Sequence, residues 1–270
     1  MIRYYADDFV ELWQGDIRDG FPPSVEPGSV ACAVTSPPYN VGLDYDVHDD
    51  SMSWADYQCF AGGVCAELNR VLCDTGRVWV NAVGFVPVAN TIRAASLEPV
   101  PRVGLASLWD SELRFERFEI RDWVAWTSNR EPDTAWGSWE SPSAPNLRGG
   151  WEAIIAASKG PWRREQPDGF YGWRDTIGGW AALTSNVWRI MPQRRERHPA
   201  PFPLEVPRRC IRLSTWPGEL VVDPFAGTGT TLLAARQLGR RAVGVELSED
   251  YCEQAMWRLA QGNLEFGGAA

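Results

Sequence analysis

The sequence is poor in the residues that several common chemistries need. It has only two histidines, His48 and His198, and its six cysteines (Cys32, Cys59, Cys65, Cys73, Cys210, Cys252) form no Cys-x-x-Cys pair. A zinc site or a redox dithiol is therefore not expected, and the cysteines read as reduced, mostly buried thiols. No apolar run is long enough to predict a membrane-spanning helix. The first sixteen residues carry acids where a secretory signal would carry an apolar core, which predicts a cytosolic protein. Neither a repeat nor a low-complexity tract is visible, which excludes solenoids and collagen-like chains. Lysine is nearly absent: Lys159 is the only one, and every other basic residue is an arginine.

What remains is globular. The chain has 270 residues, 44% hydrophobic, 23% charged and 12% aromatic, with 15 tryptophans. One large domain with ample core material is expected. The net charge of -9 argues against a general polyanion binder. The charge is uneven, however. Residues 1–60 hold eleven acids against two arginines, whereas 148–212 hold twelve bases against six acids. A nucleic-acid contact surface needs such a concentration, and arginine forks suit phosphates and guanine edges. A GC-rich genome, with its arginine codons, accounts for the same counts equally well.

The apolar pattern predicts alternating strands and helices. Strands are expected at 9–13, 29–34, 77–83, 120–126, 152–157, 219–223 and 241–246. Helices are expected from Ser53-x-x-Asp56 to about Leu72, at 86–95, 204–214, 230–238 and 249–262. Residues 127–150, rich in Gly, Pro, Ser, Asn and Trp, predict a long functional loop. Residues 159–198 mix Arg, Trp and Gly without a period and predict an irregular insert outside the core. The fold class is α/β, with a mostly parallel sheet and helices on both faces.

Two strand ends carry chemistry. Residues 220–231 run from an apolar strand into a turn with Gly227 and Gly229, and a helix starts at once. Glycines there let backbone N–H groups approach a ligand, and Glu246, ending the next strand, suits ribose hydroxyls. A nicotinamide fingerprint would need a third glycine, but that position is Leu232. Without a ligand the same string is a tight strand–helix turn. Ser36-Pro37-Pro38-Tyr39 follows another buried strand. An exocyclic base amine is a poor nucleophile because its lone pair is delocalised into the ring. Acceptors fixed on both its N–H groups turn that lone pair towards a methyl donor, and the Ser36 hydroxyl and Pro37 carbonyl can supply them. Tyr39 can stack on a base turned out of the helix. The plainer alternative is a proline-stopped strand with a surface tyrosine.

Together these strings resemble the DNA amino-methyltransferases that act on N4 of cytosine or N6 of adenine. Asp223-Pro-Phe-Ala-Gly-Thr-Gly-Thr-Thr231 resembles their S-adenosylmethionine loop, and Thr35-Ser-Pro-Pro-Tyr-Asn40 their catalytic motif. The tetrapeptide precedes the cofactor loop, a circularly permuted motif order that resembles the beta group. Gly15-Asp16, Glu67–Leu72 with Gly76–Val80, and His198–Pro203 resemble further family elements along nearly the whole chain. His198 is read as a turn or packing residue, and no metal is implied.

The resemblance implies one S-adenosylmethionine-dependent methyltransferase domain, Rossmann-like, over 1–270, with a target-recognition insert at 159–197. It implies Ser36, Pro37, Pro38 and Tyr39 as catalytic residues. It implies cofactor contacts from Asp16, Thr35, Phe202, Pro203, Asp223, Pro224, Phe225, Ala226, Gly227, Thr228, Gly229, Thr230, Thr231, Glu246 and Leu247. For DNA it points to Arg163, Arg164, Arg174, Arg194, Arg195 and Arg197, interleaved with Trp162, Tyr171, Trp173, Trp180 and Trp188. The implied partner is double-stranded DNA, with a homodimer and a cognate restriction endonuclease left open. The Ser-initial tetrapeptide favours N4 of cytosine over N6 of adenine. A DNA-binding protein that keeps the fold without turnover is the other alternative. Carbon-5 cytosine methylation is excluded, because its nucleophile sits in a Pro-Cys dipeptide and none occurs here.

Overall fold

The computed structural model describes residues 1–42, 50–87, 102–127, 150–168, 179–191 and 203–266. In chain order the strands are β1 (Ile2–Ala6), β2 (Val10–Gln14), β3 (Val30–Thr35), β4 (Leu72–Val83), β5 (Val86–Pro87), β6 (Arg102–Val103), β7 (Glu119–Thr127), β8 (Trp151–Ser158), β9 (Val187–Arg189), β10 (Leu220–Asp223) and β11 (Arg241–Glu246). The helices are α1 (Trp54–Val71), α2 (Leu105–Phe115), α3 (Gly179–Thr184), α4 (Glu205–Ser214), α5 (Thr230–Gln237) and α6 (Glu249–Phe266).

Nine strands form one sheet in the order β1-β2-β11-β10-β3-β4-β8-β7-β9. The central run from β2 to β4 is parallel. β1, β8 and β7 pair antiparallel with their neighbours, and β9 lies parallel to β7. β3 and β10 are apolar runs buried along their whole length, as strands covered on both faces must be. Their alternate residues feed two cores. Val30, Ala33, Val78, Val80 and Val222 face α1 and α2. Cys32, Val34, Trp79 and Val221 face α4, α5 and α6.

Sequence and structure part in several places: β1 and α2 are not among the expected elements, and three further differences follow. β4 starts at Leu72 rather than at Arg77, and its register with β3 jumps from Val30↔Leu72 to Cys32↔Arg77. Gly76 makes that excursion possible, since a Cβ there would meet the Cys73 carbonyl oxygen at 2.9 Å. The helix expected at 86–95 does not begin there: Val86–Pro87 form a two-residue strand against Arg102–Val103. Proline has no N–H to give a helix interior, and the rest of that segment lies outside the described residues. The stretch 159–198, expected to be irregular and outside the core, contributes β9 to the sheet. Trp188 of β9 is fully buried, stacked on Trp79 with ring centroids 6.1 Å apart. The three-residue strand is too short to show a period, so the sequence hides it.

Candidate active site

β3, β10 and β11 are parallel, so their carboxyl ends share one edge of the sheet. From β3 the chain goes through α1 to β4 on one side. From β10 it goes through α5 to β11 on the other. The crevice between β3 and β10 is thus a switch point, where open sheets take ligands. β8 runs antiparallel to β4 with Glu152 opposite Val83. That register brings the first residues of β8 to the same edge.

On one side of the crevice lies the glycine-rich turn. Gly227 and Gly229 have φ of 50° and 76°, a region other residues avoid. A Cβ on Gly229 would also meet the Ala255 Cβ at 3.1 Å. The Ala226 N–H donates to the Val245 carbonyl at 2.9 Å, which pins the turn to β11. Glu246 accepts from the Gly227 N–H at 2.7 Å and from the Ser248 N–H at 2.9 Å, one on each oxygen. Each oxygen keeps a second lone pair for a ligand hydroxyl. Burial raises the Glu246 carboxyl above its ordinary range, against those N–H groups. Arg258 of α6 closes the turn from outside, donating to the Thr228 carbonyl and hydroxyl at 2.6 and 2.7 Å. Leu247 is half-buried next to Glu246, and Thr230 and Thr231 are buried at the start of α5.

Asp223 is the hinge of the site. It is buried, and burial pushes its carboxyl up to about 6, while hydrogen bonds from the Phe225 N–H and the Thr35 hydroxyl act the other way. The Thr35 bond is 2.8 Å long and joins residues 188 positions apart. It fastens the end of β3, and the tetrapeptide after it, to the glycine-rich turn.

The tetrapeptide loop is held from several elements. Asp50 accepts from the Asn40 and Val41 N–H groups at 2.7 and 2.9 Å. Asn40 adopts φ of 56°, and its amide donates to the Met52 carbonyl at 2.9 Å. The Tyr57 hydroxyl of α1 donates to the Pro38 carbonyl at 2.6 Å. Among the described residues no donor takes the Pro37 carbonyl. Tyr57, Phe60 and Phe225 then form an aromatic path, with centroids 5.9 and 5.7 Å apart, from the tetrapeptide to the cofactor turn.

Under the loop lies a polar cluster that sequence reasoning missed. The Tyr39 hydroxyl donates to Glu152 Oε2 at 3.2 Å and lies 3.3 Å from Ser36 Oγ. Asn81 Nδ2 donates to Glu152 Oε2 at 2.9 Å and to the Tyr39 hydroxyl at 3.1 Å. Asn81 is buried and its Oδ1 has no hydrogen-bond partner. An unpaired buried acceptor costs about 1–3 kcal/mol. Such a cost marks a group whose orientation is set by something other than stability. A polar residue late in a predicted apolar strand, and an acid opening another, were the signals available for Asn81 and Glu152.

The remaining expected residues are spread over both edges of the sheet, with Asp16 on the same edge as Glu246. Asp16 follows β2, where the Gly15 N–H donates to the Glu246 carbonyl at 2.9 Å, and it pairs with Arg18. Pro203 is buried at the entry to α4. Arg164 is placed away from the crevice: its guanidinium is paired with Glu219, bonded to the Ser214 carbonyl at 2.5 Å, and set 4.3 Å over Trp216. Glu219 precedes β10, so Arg164 serves the edge opposite the crevice. The eight residues of β8 span about 24 Å, and the chain leaves that strand at the far end. Arg163 is exposed next to Arg164 on that edge. Trp162, expected among stacking aromatics, lies under the Arg77 guanidinium at 4.3 Å. Trp188 is in the core. Trp180 is 51% exposed. Phe202, Arg174, Arg194, Arg195, Arg197, Tyr171, Trp173 and His198 lie outside the described residues. No group of three or more His, Cys, Asp or Glu side chains that could hold a metal ion occurs among the described residues.

A family model described as DNA methylase, of the N6/N4 methyltransferases, matches residues 30–256. The chain belongs to this N6/N4 DNA methylase family. Both motif strings and the cluster beneath the tetrapeptide lie within the match. Among relatives, the Type II methyltransferase M.ScaI of Streptomyces caespitosus is 28% identical over 95% of this chain and 83% of its own length. The DNA adenine methyltransferase YhdJ of Escherichia coli is 27% identical over 86% of this chain and 76% of its own. The structure of TTHA0409 from Thermus thermophilus, complexed with S-adenosyl-L-methionine, superposes with a TM-score of 0.72 at 27% identity. The match covers 93% of each chain. The N6/N4 DNA methylase fold, a mixed and mostly parallel sheet between two layers of helices, is thus common to this chain and to a cofactor-bound structure.

Proposed function

We propose that the protein methylates N4 of cytosine at a short specific site in double-stranded DNA, with the target base turned out of the helix. The observation that carries this reading is the Thr35–Asp223 hydrogen bond of 2.8 Å, which makes one crevice of the tetrapeptide and the glycine-rich turn. S-adenosyl-L-methionine, when bound, supplies a methyl group on a positively charged sulfur and departs as a neutral thioether. The residues fit such a donor. The turn has no Cβ at Gly227 or Gly229 to block close approach, Glu246 keeps acceptor capacity for ribose hydroxyls, and Phe225 offers an aromatic wall.

The chain's own part is to bind and orient. Ser36 Oγ and the Pro37 carbonyl accept from the amine, which localises its lone pair. Tyr39 gives the base a ring to stack on. Arg174, Arg194, Arg195 and Arg197 contact phosphates and base edges. Arg163, on the edge opposite the crevice, is left out of that set. The Ser-initial tetrapeptide supports cytosine. The similarity to a DNA adenine methyltransferase supports N6 of adenine as the second reading. The Type II name of M.ScaI favours a restriction–modification setting with a cognate endonuclease.

Mass spectrometry of nucleosides tests this directly, using unmethylated DNA incubated with the protein and isotope-labelled S-adenosylmethionine. Labelled N4-methylcytosine is the expected product. Labelled N6-methyladenine would reverse the choice of base and keep the chemistry. No labelled base on several diverse DNAs would overturn the reading.

A further inference from the structure

We propose that Glu152 is the terminal proton acceptor of a relay, Ser36 to Tyr39 to Glu152, that takes up the proton released by the target amine. This rests on the exocyclic-amine reading above, though not on which base is methylated. The direction of the relay follows from the donors available. Glu152 Oε2 receives two donors, the Tyr39 hydroxyl at 3.2 Å and Asn81 Nδ2 at 2.9 Å, so that oxygen acts as an acceptor. Tyr39 has one hydroxyl proton, and it is committed to Glu152. Asn81 Nδ2 donates to the same Tyr39 oxygen at 3.1 Å. With the Tyr39 proton on Glu152, the 3.3 Å contact between Ser36 and Tyr39 has Ser36 as its donor in this relay. With its own proton turned towards Tyr39, Ser36 Oγ presents lone pairs to the substrate. The relay thus also sets Ser36 as the acceptor the amine requires.

The balance is simple. As the nitrogen–methyl bond forms and the methyl–sulfur bond breaks, the amine nitrogen becomes positively charged. Its excess proton passes to Ser36 Oγ, the Ser36 proton to the Tyr39 oxygen, and the Tyr39 proton to Glu152 Oε2. A neutral methylated amine and a protonated Glu152 result, and Glu152 then releases the proton to solvent, since its side chain is only half-buried. The two links of 3.2 and 3.3 Å are long for O–H···O bonds, and such bonds commonly shorten when substrate closes the site. Because Glu152 acts through Tyr39 and Ser36, it is a positioning residue.

The test compares Glu152→Gln, Tyr39→Phe and the double variant. Gln can still accept both hydrogen bonds but cannot take the proton, and Phe keeps the stacking ring without the hydroxyl. Single-turnover methyl transfer is measured on a DNA that the wild type modifies, beside equilibrium affinities for S-adenosylmethionine and for that DNA. Each single variant is expected to slow transfer by roughly a hundredfold or more. Both affinities should stay within about threefold, and the double variant should be no slower than the worse single one, as members of one chain behave. A Glu152→Gln rate within about threefold of wild type, or additive losses, would overturn the relay. Loss of cofactor or DNA affinity in step with the rate would also overturn it, by assigning Glu152 to the fold. The comparison is read on whichever base the wild type labels, so a reversed choice of base and a failed relay are separate results. Wild-type silence on every DNA would sink the functional reading and the relay with it.

Discussion

At the residue scale, a few hydrogen bonds decide what each side chain in the crevice can do. Ser36→Ala removes an acceptor aimed at the amine, so turnover should fall by about two to three orders of magnitude while cofactor affinity holds. Isothermal titration beside a rate assay checks this, and equal losses in both would give the tetrapeptide a folding role instead. Asp223 yields a pH prediction. Its carboxyl keeps its proton to about pH 6 when folded, against a usual value of 3.8. Between those values the folded state binds more protons than the unfolded chain, so this group's contribution to stability falls as pH rises. The loss then persists above pH 6, at roughly 2–3 kcal/mol. Asp223→Asn should therefore melt above wild type at pH 8, and the gap should close on acidification below about pH 4. A constant gap across that range would mean the carboxyl is not held near 6. Asp223 and Ser36 were legible in the sequence because each ends an apolar strand. Asn81 and Glu152 were not, because their significance depends on neighbours 71 positions apart in the chain.

At the scale of elements, periodicity served long segments and failed short ones. α1 was legible from its capping serine and its recurring apolar residues, and it ends one residue before the expected Leu72. β9 was not, since three residues cannot establish alternation. The energetic weight of β9 sits in Trp188. It stacks on Trp79, lies 5.4 Å beneath the Arg209 guanidinium, and donates its indole N–H to the Leu183 carbonyl at 3.2 Å. Trp188→Ala should cost about 3–5 kcal/mol of unfolding free energy. Urea titration followed by circular dichroism measures it, and a loss under about 1 kcal/mol would place β9 outside the cooperative unit. Packing also explains why some bases of the basic stretch are not free for DNA. Lys159 donates to the Asn69 and Leu72 carbonyls, and Arg164 is paired with Glu219. Counting charges along the sequence treats these bases as equivalent, whereas the fold assigns two of them to the far edge of the sheet.

At the scale of the whole molecule, a net charge of -9 must coexist with binding to a polyanion. In the proposed complex, phosphate contacts would fall on few arginines, so their reversal should be felt strongly. Changing Arg194, Arg195 and Arg197 together to Glu should weaken DNA affinity and flatten its salt dependence, by up to about 0.9 in log–log slope per lost contact. Cofactor affinity should be unaffected. An unchanged slope would remove that stretch from the interface.

The sequence by itself determined the family, the two strings that carry the chemistry, and the alternation that makes an α/β sheet. These are local: a strand, its terminating turn and the next helix lie within a few residues, and each constrains backbone conformation directly. Tertiary structure alone decided which side chains meet at the shared edge. The parallel order of β11, β10, β3 and β4 brings Thr35 to Asp223, and the antiparallel return of β8 brings Glu152 to Tyr39. Strand order and direction arise from burying both faces of one sheet at once, a condition on the whole chain that no short window of residues contains.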